Sequence, residues 1–285
     1  MQLKNLKYLL TGSKGQLGKE FVKIFDRQGF EYTAVDIEEL DISDYIELKK
    51  FFSYFKPDVI INCAAYNNVD GAESDYESAE KVNSLAPKYL AEISKQQNSF
   101  LVHFSSDYVF DGMKTTGLYT ENDKVNPINK YGQSKLDGEN YIRNSAGDYL
   151  IFRLSWVFGE GQQNFIYKFR EWAKSNVTLN ITSDEVSVPT YAKMVAGNTM
   201  KALEKGLTGL YHLTNSGYTS RLGWAEKIIN QLELNVKLNP VEQSQFNLPA
   251  IRPKISAMSN EKISDLLNIS IPTWDESVTD FLTDK

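Results

Sequence analysis

Glycines at positions 12, 15 and 18 separate an apolar run, LKYLLT at 6–11, from a segment at 16–28 in which Leu17, Phe21, Ile24 and Phe25 recur at helical spacing. A strand that turns through glycines straight into a helix is the opening βα unit of a parallel sheet, which leaves few folds open. The alternation continues along the chain. EYTAVD at 31–36 reads as a second strand, and LDISDYIELKKFFSYF as a helix with Ser43 or Asp44 placed to cap it. PDVIINCAA is a buried strand rich in branched residues. Residues 72–97 read as one long helix, FLVHFSS as a fourth strand, 129–145 as a helix and DYLIFRLS as a fifth strand. Strands alternating with helices predict an α/β fold, a Rossmann-type doubly wound parallel sheet.

After about residue 155 the pattern loosens. VTLNIT and GLYHLT are short strands among helices at NFIYKFREWAK, YAKMVAGNTMKALEK and RLGWAEKIINQLE, and the proline-bearing stretch 240–253 reads as a loop. We expect residues 1–155 to form a dinucleotide-binding domain. Residues 156–285 are expected to form mainly a smaller, substrate-binding lobe over the sheet's carboxyl edge, with some later elements extending the sheet.

A glycine turn lets the backbone approach a pyrophosphate, and the helix N-terminus adds bare N–H groups and partial positive charge. The expected cofactor contacts are therefore Gly12, Lys14, Gly15, Gln16, Leu17 and Gly18 in the turn. Asp36, ending strand two, should accept hydrogen bonds from an adenine ribose, with Asp41 and Ile42 flanking the adenine. Ala64, Ala65 and Tyr66 follow strand three, where small residues admit the cofactor. A 2′-phosphate would meet a like charge at Asp36. NADH or NADPH is expected to serve, with NADH preferred.

Tyr131 and Lys135 stand four residues apart in NKYGQSKLDGE, which puts phenol and ammonium on one helix face. A nearby cation favours phenolate and should lower the phenol's pKa from its usual value of about 10. Ser106, just after strand four, could reach the same carbonyl oxygen as Tyr131, and two donors on one oxygen stabilise a developing alkoxide. A dinucleotide beside a tunable phenol predicts joint transfer of a hydride and a proton.

The charge balance, net −6 with no basic block, gives no sign of nucleic-acid binding. No apolar run approaches the roughly 20 residues of a membrane span, and MQLKNLKYLLTG reads as strand one, not as a signal peptide. The single cysteine, Cys63, excludes an intrachain disulfide, suits a cytoplasmic location and reads as an inert member of a buried strand. His103 and His212 lie in strand-like runs without metal-ligand spacing, so both read as structural and no metal is expected. The acidic stretch from Asp70 to Glu80 reads as a solvated helix face.

TGSKGQLG, INCAAYNNVDGAE, HFSSDYVFDG, NPINKYGQSKLDGE, FRLSWVFG, GLYHLTNSG and the final IRP resemble, in order, the motifs of the dTDP-4-dehydrorhamnose reductase family, a branch of the extended short-chain dehydrogenases/reductases. The resemblance covers nearly the whole chain. It implies reduction of the C4 ketone of dTDP-4-dehydro-L-rhamnose, a nucleotide sugar, to dTDP-L-rhamnose with NADPH or NADH. By position, Tyr131 would be the proton donor, Lys135 would orient the nicotinamide ribose, and Ser106 would stand where the family commonly has threonine. Asp107 and Trp156 would contact the sugar, and Arg252 the nucleotide's phosphates.

SDEVSVPT departs from the family's DQxGxPT, with Glu185 for glutamine and Ser187 for glycine. Some members are thought to dimerise through magnesium held by glutamates. Glu20 matches one such position, but Lys193 occupies another, so we expect activity without magnesium and read Glu20 and Glu185 as surface acids; a homodimer of another kind stays open. Two other readings share the fold: a reductase of another NDP-4-keto-deoxysugar, and a non-catalytic nucleotide-binding regulatory subunit. Ser106, Tyr131 and Lys135 together favour an enzyme.

Overall fold

The structure, a computed structural model, describes residues 3–283. After a 3-10 turn at Leu3–Asn5, β1 (Lys7–Thr11) turns at Gly12 into α1 (Gln16–Gln28). Gly12 has φ +66°, and a Cβ there would run into the Ala64 backbone. A Cβ on Gly18 would strike the Gly12 carbonyl. These two positions require glycine: the first lets the chain after β3 pass close by, the second lets α1 pack on its own leading turn. Next come β2 (Glu31–Val35), α2 (Tyr45–Tyr54) and β3 (Val59–Asn62). Asp44, not Ser43, caps α2, accepting from the N–H groups of Ile46 and Glu47 at 2.8 and 3.0 Å.

The single long helix expected over 72–97 is instead α3 (Val69–Ser74), α4 (Tyr76–Glu80), a π-helical turn at Lys81–Leu85 and α5 (Ala86–Gln97). Two local features break it. Asp75 leaves the helical region (φ −133°, ψ 70°) and accepts from Ser78 N at 3.2 Å, starting a new helix. Pro87 has no N–H to give the carbonyl of Asn83, and the turn before it widens. The Asn83 side chain bonds both the N–H and the carbonyl of Tyr66 at 3.0 Å, tying this turn to the segment after β3.

β4 (Phe100–Ser106), α6 (Lys130–Ser145) and β5 (Tyr149–Leu154) follow. The chain continues through β6 (Val157–Phe158), α7 (Phe165–Ser175), β7 (Thr178–Thr182), β8 (Val186–Ser187), β9 (Thr190–Tyr191), α8 (Ala192–Glu204) and β10 (Gly209–His212). It ends with β11 (Thr219–Ser220), α9 (Arg221–Leu232), β12 (Lys237–Val241), α10 (Glu261–Leu267) and α11 (Trp274–Thr283). β12 corrects the reading of 240–253 as wholly loop. Pro240 sits within it opposite Ile181 of β7, in a two-stranded sheet where a strand edge tolerates its missing donor.

Six parallel strands form the main sheet in the order β10-β5-β4-β3-β1-β2. Successive residues serve opposite faces, as the strand period demands. Leu10, Ile61, Val102 and Phe152 pack with Phe21 and Phe25 of α1 on one side. Leu9, Ile60, Leu101 and Ile151 pack with Leu48, Phe52, Leu90 and Ile142 on the other. After residue 155 the chain moves between two cores. Val195 and Leu203 of α8, Tyr211 of β10 and Ile263 of α10 join the first face of the sheet. Phe169 of α7, Leu179 of β7, Trp224 and Ile228 of α9, and Val278 of α11 form a separate smaller core. Winding reverses at β1, which has β3 on one side and β2 on the other, so a crevice opens at the carboxyl ends of β1 and β3.

Candidate active site

That crevice is a cleft of about 1090 Å³. It brings together Gly12, Lys14, Gly15, Gln16, Leu17, Asp36, Asp41, Ile42, Ala64, Ala65 and Tyr66 with Ser106, Asp107, Tyr131, Lys135 and Trp156. Gly18 stands behind the turn in a packing position, and Arg252 lies outside the lining.

A dinucleotide fits this groove on three structural grounds. Gly15 caps α1 without a side chain, so the first N–H groups of the helix remain available to an anion. Gly12 keeps the floor open where any Cβ would collide with Ala64. Ser105 lines the cleft with a buried hydroxyl that has no hydrogen-bond partner among the described residues. At the rim, Asp36 accepts from Lys14 N at 2.8 Å and Ile37 N at 3.0 Å. The Lys14 ammonium reaches past it to Glu38 at 2.7 Å and Glu39 at 3.2 Å. Asp41 is engaged by Ser43, whose N–H and hydroxyl donate to it at 2.8 and 2.7 Å.

Asn129 sets the start of α6 by accepting from Gly132 N at 2.7 Å, and a Cβ on Gly132 would collide with the Tyr108 carbonyl. The helix is thereby pressed against the end of β4. Tyr131 meets Tyr108 edge-to-face at 5.8 Å, close to Ser106. Burial pushes the Tyr131 phenol up to about 12, Asp107 adds to the rise, and a hydrogen bond from Ser106 opposes it. This reverses the expected direction. Lys135 does not reach the phenol; its ammonium donates to the Phe104 carbonyl at 2.7 Å. Burial lowers Lys135 to about 8, opposed by Glu139 one turn on. Glu139 is itself held by Arg153 through two bonds, at 2.9 and 2.7 Å. A phenol near 12 is fully protonated at neutral pH, which is the state a proton donor needs.

Asp107 follows Ser106 and is 2% exposed. Its carboxylate accepts from Ser106 at 3.2 Å, Ser187 at 2.9 Å and Ser256 at 2.5 Å. Burial raises it to about 6 despite these bonds. Ser187, noted in the sequence only as a departure, therefore ties β8 to the end of β4. Trp156 has a left-handed backbone (φ +39°) and stacks on Trp224 at 5.7 Å with planes 8° apart. Sequence reading missed Arg221, whose guanidinium carbon lies 3.7 Å from the Trp156 ring centre.

Several expectations need correction. Asp70 is no merely solvated acid: Arg252 grips it with bonds of 3.0 and 2.6 Å, which hold its carboxyl below the usual range. Glu20 and Glu185 are buried, at 5% and 6% exposure, not surface acids. Glu20 pairs with Lys23 at 2.9 Å, and Glu185 faces Arg221 and accepts from Gln243 at 3.1 Å. Cys63 lies one residue past β3, half-buried in the cleft wall, and burial pushes its thiol up, which disfavours the thiolate. His103 bonds Asn62 at 3.1 Å and is held neutral by burial and by Lys135. His212 lies 3.2 Å from the Tyr119 carbonyl and is lowered to about 3, chiefly by burial. Among the described residues no three metal-ligating side chains cluster, and no helix is long and apolar enough to cross a membrane.

A family profile described as the RmlD substrate binding domain matches residues 6–285. The chain is 35% identical over 286 aligned residues to a dTDP-4-dehydrorhamnose reductase of Burkholderia thailandensis, covering 94% of this chain and 95% of that one. A solved dTDP-4-dehydrorhamnose reductase of Clostridium acetobutylicum superposes with TM-score 0.93 and 35% identity, over 97% and 98% of the two chains. The Bacillus anthracis reductase, solved in complex with NADP, gives TM-score 0.93 and 30% identity over 98% and 99%.

Proposed function

The chain belongs to the dTDP-4-dehydrorhamnose reductase family, and from that membership together with its site we infer the reaction. It reduces the C4 ketone of dTDP-4-dehydro-L-rhamnose to the C4 alcohol of dTDP-L-rhamnose. The observation that carries this reading is Tyr131, a buried and protonated phenol beside Ser106 at the inner end of the cofactor groove.

A bound dihydronicotinamide supplies the hydride to the ketone carbon. Tyr131 gives its proton to the ketone oxygen, and Ser106 donates a second hydrogen bond that stabilises the developing alkoxide. To do so the Ser106 hydroxyl turns from Asp107 toward the substrate. Lys135, anchored on the Phe104 carbonyl, presents a fixed positive charge at the groove, suited to a ribose hydroxyl and to the phenolate left after proton transfer. The turn residues and the start of α1 take the pyrophosphate, and Asp36 takes the adenine ribose. Trp156 supplies a flat apolar wall for the deoxysugar ring.

NADH is the preferred cofactor in this reading, because Asp36 stands at the rim and the one ammonium beside it, that of Lys14, is taken by Glu38 and Glu39. Magnesium is not required, since the phenol and the cofactor supply the proton and the hydride without a Lewis acid. We take 156–285 as mainly the substrate lobe and place the enzyme in the cytoplasm. The deciding assay follows cofactor oxidation with dTDP-4-keto-6-deoxysugar in the presence of the epimerase that makes the substrate. Turnover dependent on both is expected; no oxidation with any NDP-4-keto-deoxysugar overturns the reading.

A further inference from the structure

Two guanidinium groups stand near the end of β4, Arg221 and Arg252, and both act electrostatically on the buried Tyr108. Their circumstances differ. Arg252 is paired bidentately: its two terminal nitrogens bond Asp70, and one also bonds the Ala250 carbonyl at 2.8 Å. Arg221 is held by stacking. It lies 3.7 Å above Trp156 and within 5.2 and 5.5 Å of the Phe165 and Trp224 ring centres. Its contact with a carboxylate is single-ended and long, Nε to Glu185 Oε2 at 3.5 Å. Its side chain is 21% exposed, so it is reachable but largely desolvated, the condition in which a charge-assisted bond is strong.

The backbone aims Arg221 as firmly as a site needs. It is the first residue of α9, whose start Ser220 caps by accepting from Gly223 N at 3.0 Å. Its own N–H bonds the Glu185 carbonyl at 3.1 Å, and β11 just before it pairs with β8. The platform beneath it, Trp156, lines the cleft beside Asp107 and Tyr131. We propose that Arg221 receives the anionic diphosphate of the nucleotide sugar, with Glu185 holding its place until the substrate arrives. Arg252 instead ties the 250–252 segment to α3 through Asp70. The inference rests on the nucleotide-sugar reading above and assigns its phosphate contact to a residue the motifs did not indicate. Planar guanidinium forks suit phosphate oxygens, and stacking on an aromatic ring fixes the fork without using its terminal donors. Glu185 at this position makes the affinity adjustable, because its charge competes with the phosphate for the same cation.

Binding of dTDP and of inorganic pyrophosphate should be measured by calorimetry on the NADH-loaded enzyme, alongside KM for the sugar nucleotide. Arg221→Gln should weaken dTDP at least tenfold and raise KM by a similar factor, with a smaller effect on kcat and unchanged NADH affinity. Arg252→Gln should weaken dTDP less than Arg221→Gln does. Glu185→Gln should tighten dTDP several-fold by removing the competing charge. That gain cannot come from damage, so it decides the matter if Arg221→Gln fails to fold. Wild-type dTDP affinity in a folded Arg221→Gln protein, or weaker binding in Glu185→Gln, overturns the proposal while leaving the reductase reading intact. If the wild-type protein neither binds dTDP nor oxidises cofactor, both readings fall together.

Discussion

Replacing Asp36 with alanine should largely remove the preference for NADH over NADPH. The carboxylate cannot swing away from the ribose position, because the N–H groups of Lys14 and Ile37 hold both of its oxygens. A ribose with free hydroxyls can donate to the remaining lone pairs, whereas a 2′-phosphate donates poorly and brings a charge of roughly −1.5 to −2, as phosphate monoesters do. Two unit charges at 4 Å interact by about 1 kcal/mol in water and about 4 kcal/mol at an effective dielectric constant of 20. Asp36 sits at an open rim where salt and water screen it, so the water limit governs and the phosphate loses roughly 1–2 kcal/mol. At 1.4 kcal/mol per factor of ten, this is a preference of roughly 5–30-fold. Lys14 cannot offset it while Glu38 and Glu39 hold its ammonium. Steady-state kcat/KM for both cofactors, in wild type and Asp36→Ala at two ionic strengths, tests the reasoning. We expect NADH to lead about tenfold in wild type by this electrostatic argument, less at high salt, with a ratio near one in the variant. A tenfold lead for NADPH in wild type, or a ratio indifferent to Asp36→Ala, refutes it.

Three further outcomes follow from the site. Tyr131→Phe should cut kcat by roughly 10²–10⁴-fold, the usual worth of a positioned acid, with little change in cofactor affinity; near-wild-type turnover at saturating substrate would end the mechanism. The rise of Asp107 from an ordinary 3.8 to about 6 means that the folded protein holds this proton more tightly than the unfolded chain. The group's contribution is therefore fully present below pH 3.8 and lost as pH climbs through about 6, a change of roughly 3 kcal/mol at 1.36 kcal/mol per pH unit. Denaturant titrations between pH 4 and 8 should show that slope in wild type and not in Asp107→Asn, and identical slopes would rule it out. Glu139→Gln leaves the buried Arg153 charge without its partner and should lower stability by about 3–5 kcal/mol, read by urea unfolding; a loss below 1 kcal/mol would mean the pair is not isolated from solvent.

Much of this molecule was legible in one dimension because two periodicities suffice to read it. Alternating apolar runs and helical stripes implied a parallel doubly wound sheet, and the six strands of the main sheet and α1 fall where those periods put them. The glycine turn was readable because Gly18 answers local crowding against Gly12 and Ser13, although the crowding at Gly12 comes from Ala64 after β3. Tyr131 and Lys135 share a face because they are one helical turn apart, a fact of the local backbone.

What they do on that face was settled elsewhere. Lys135 is claimed by the Phe104 carbonyl of a neighbouring strand, and the phenol is raised, not lowered, because burial outweighs the hydrogen bond from Ser106. Local pattern says which side of an element is apolar, not how deeply a polar group on it will be desolvated. The same holds for partners far apart in sequence. Asp70 with Arg252, Ser187 and Ser256 with Asp107, and Arg221 over Trp156 meet only because α8 and β10 return to the first core while α7, α9 and α11 build the second. A residue's period fixes its direction within its own helix or strand. Which opposite charge or ring it meets depends on how the loops bring distant elements together, and that is a property of the folded chain alone.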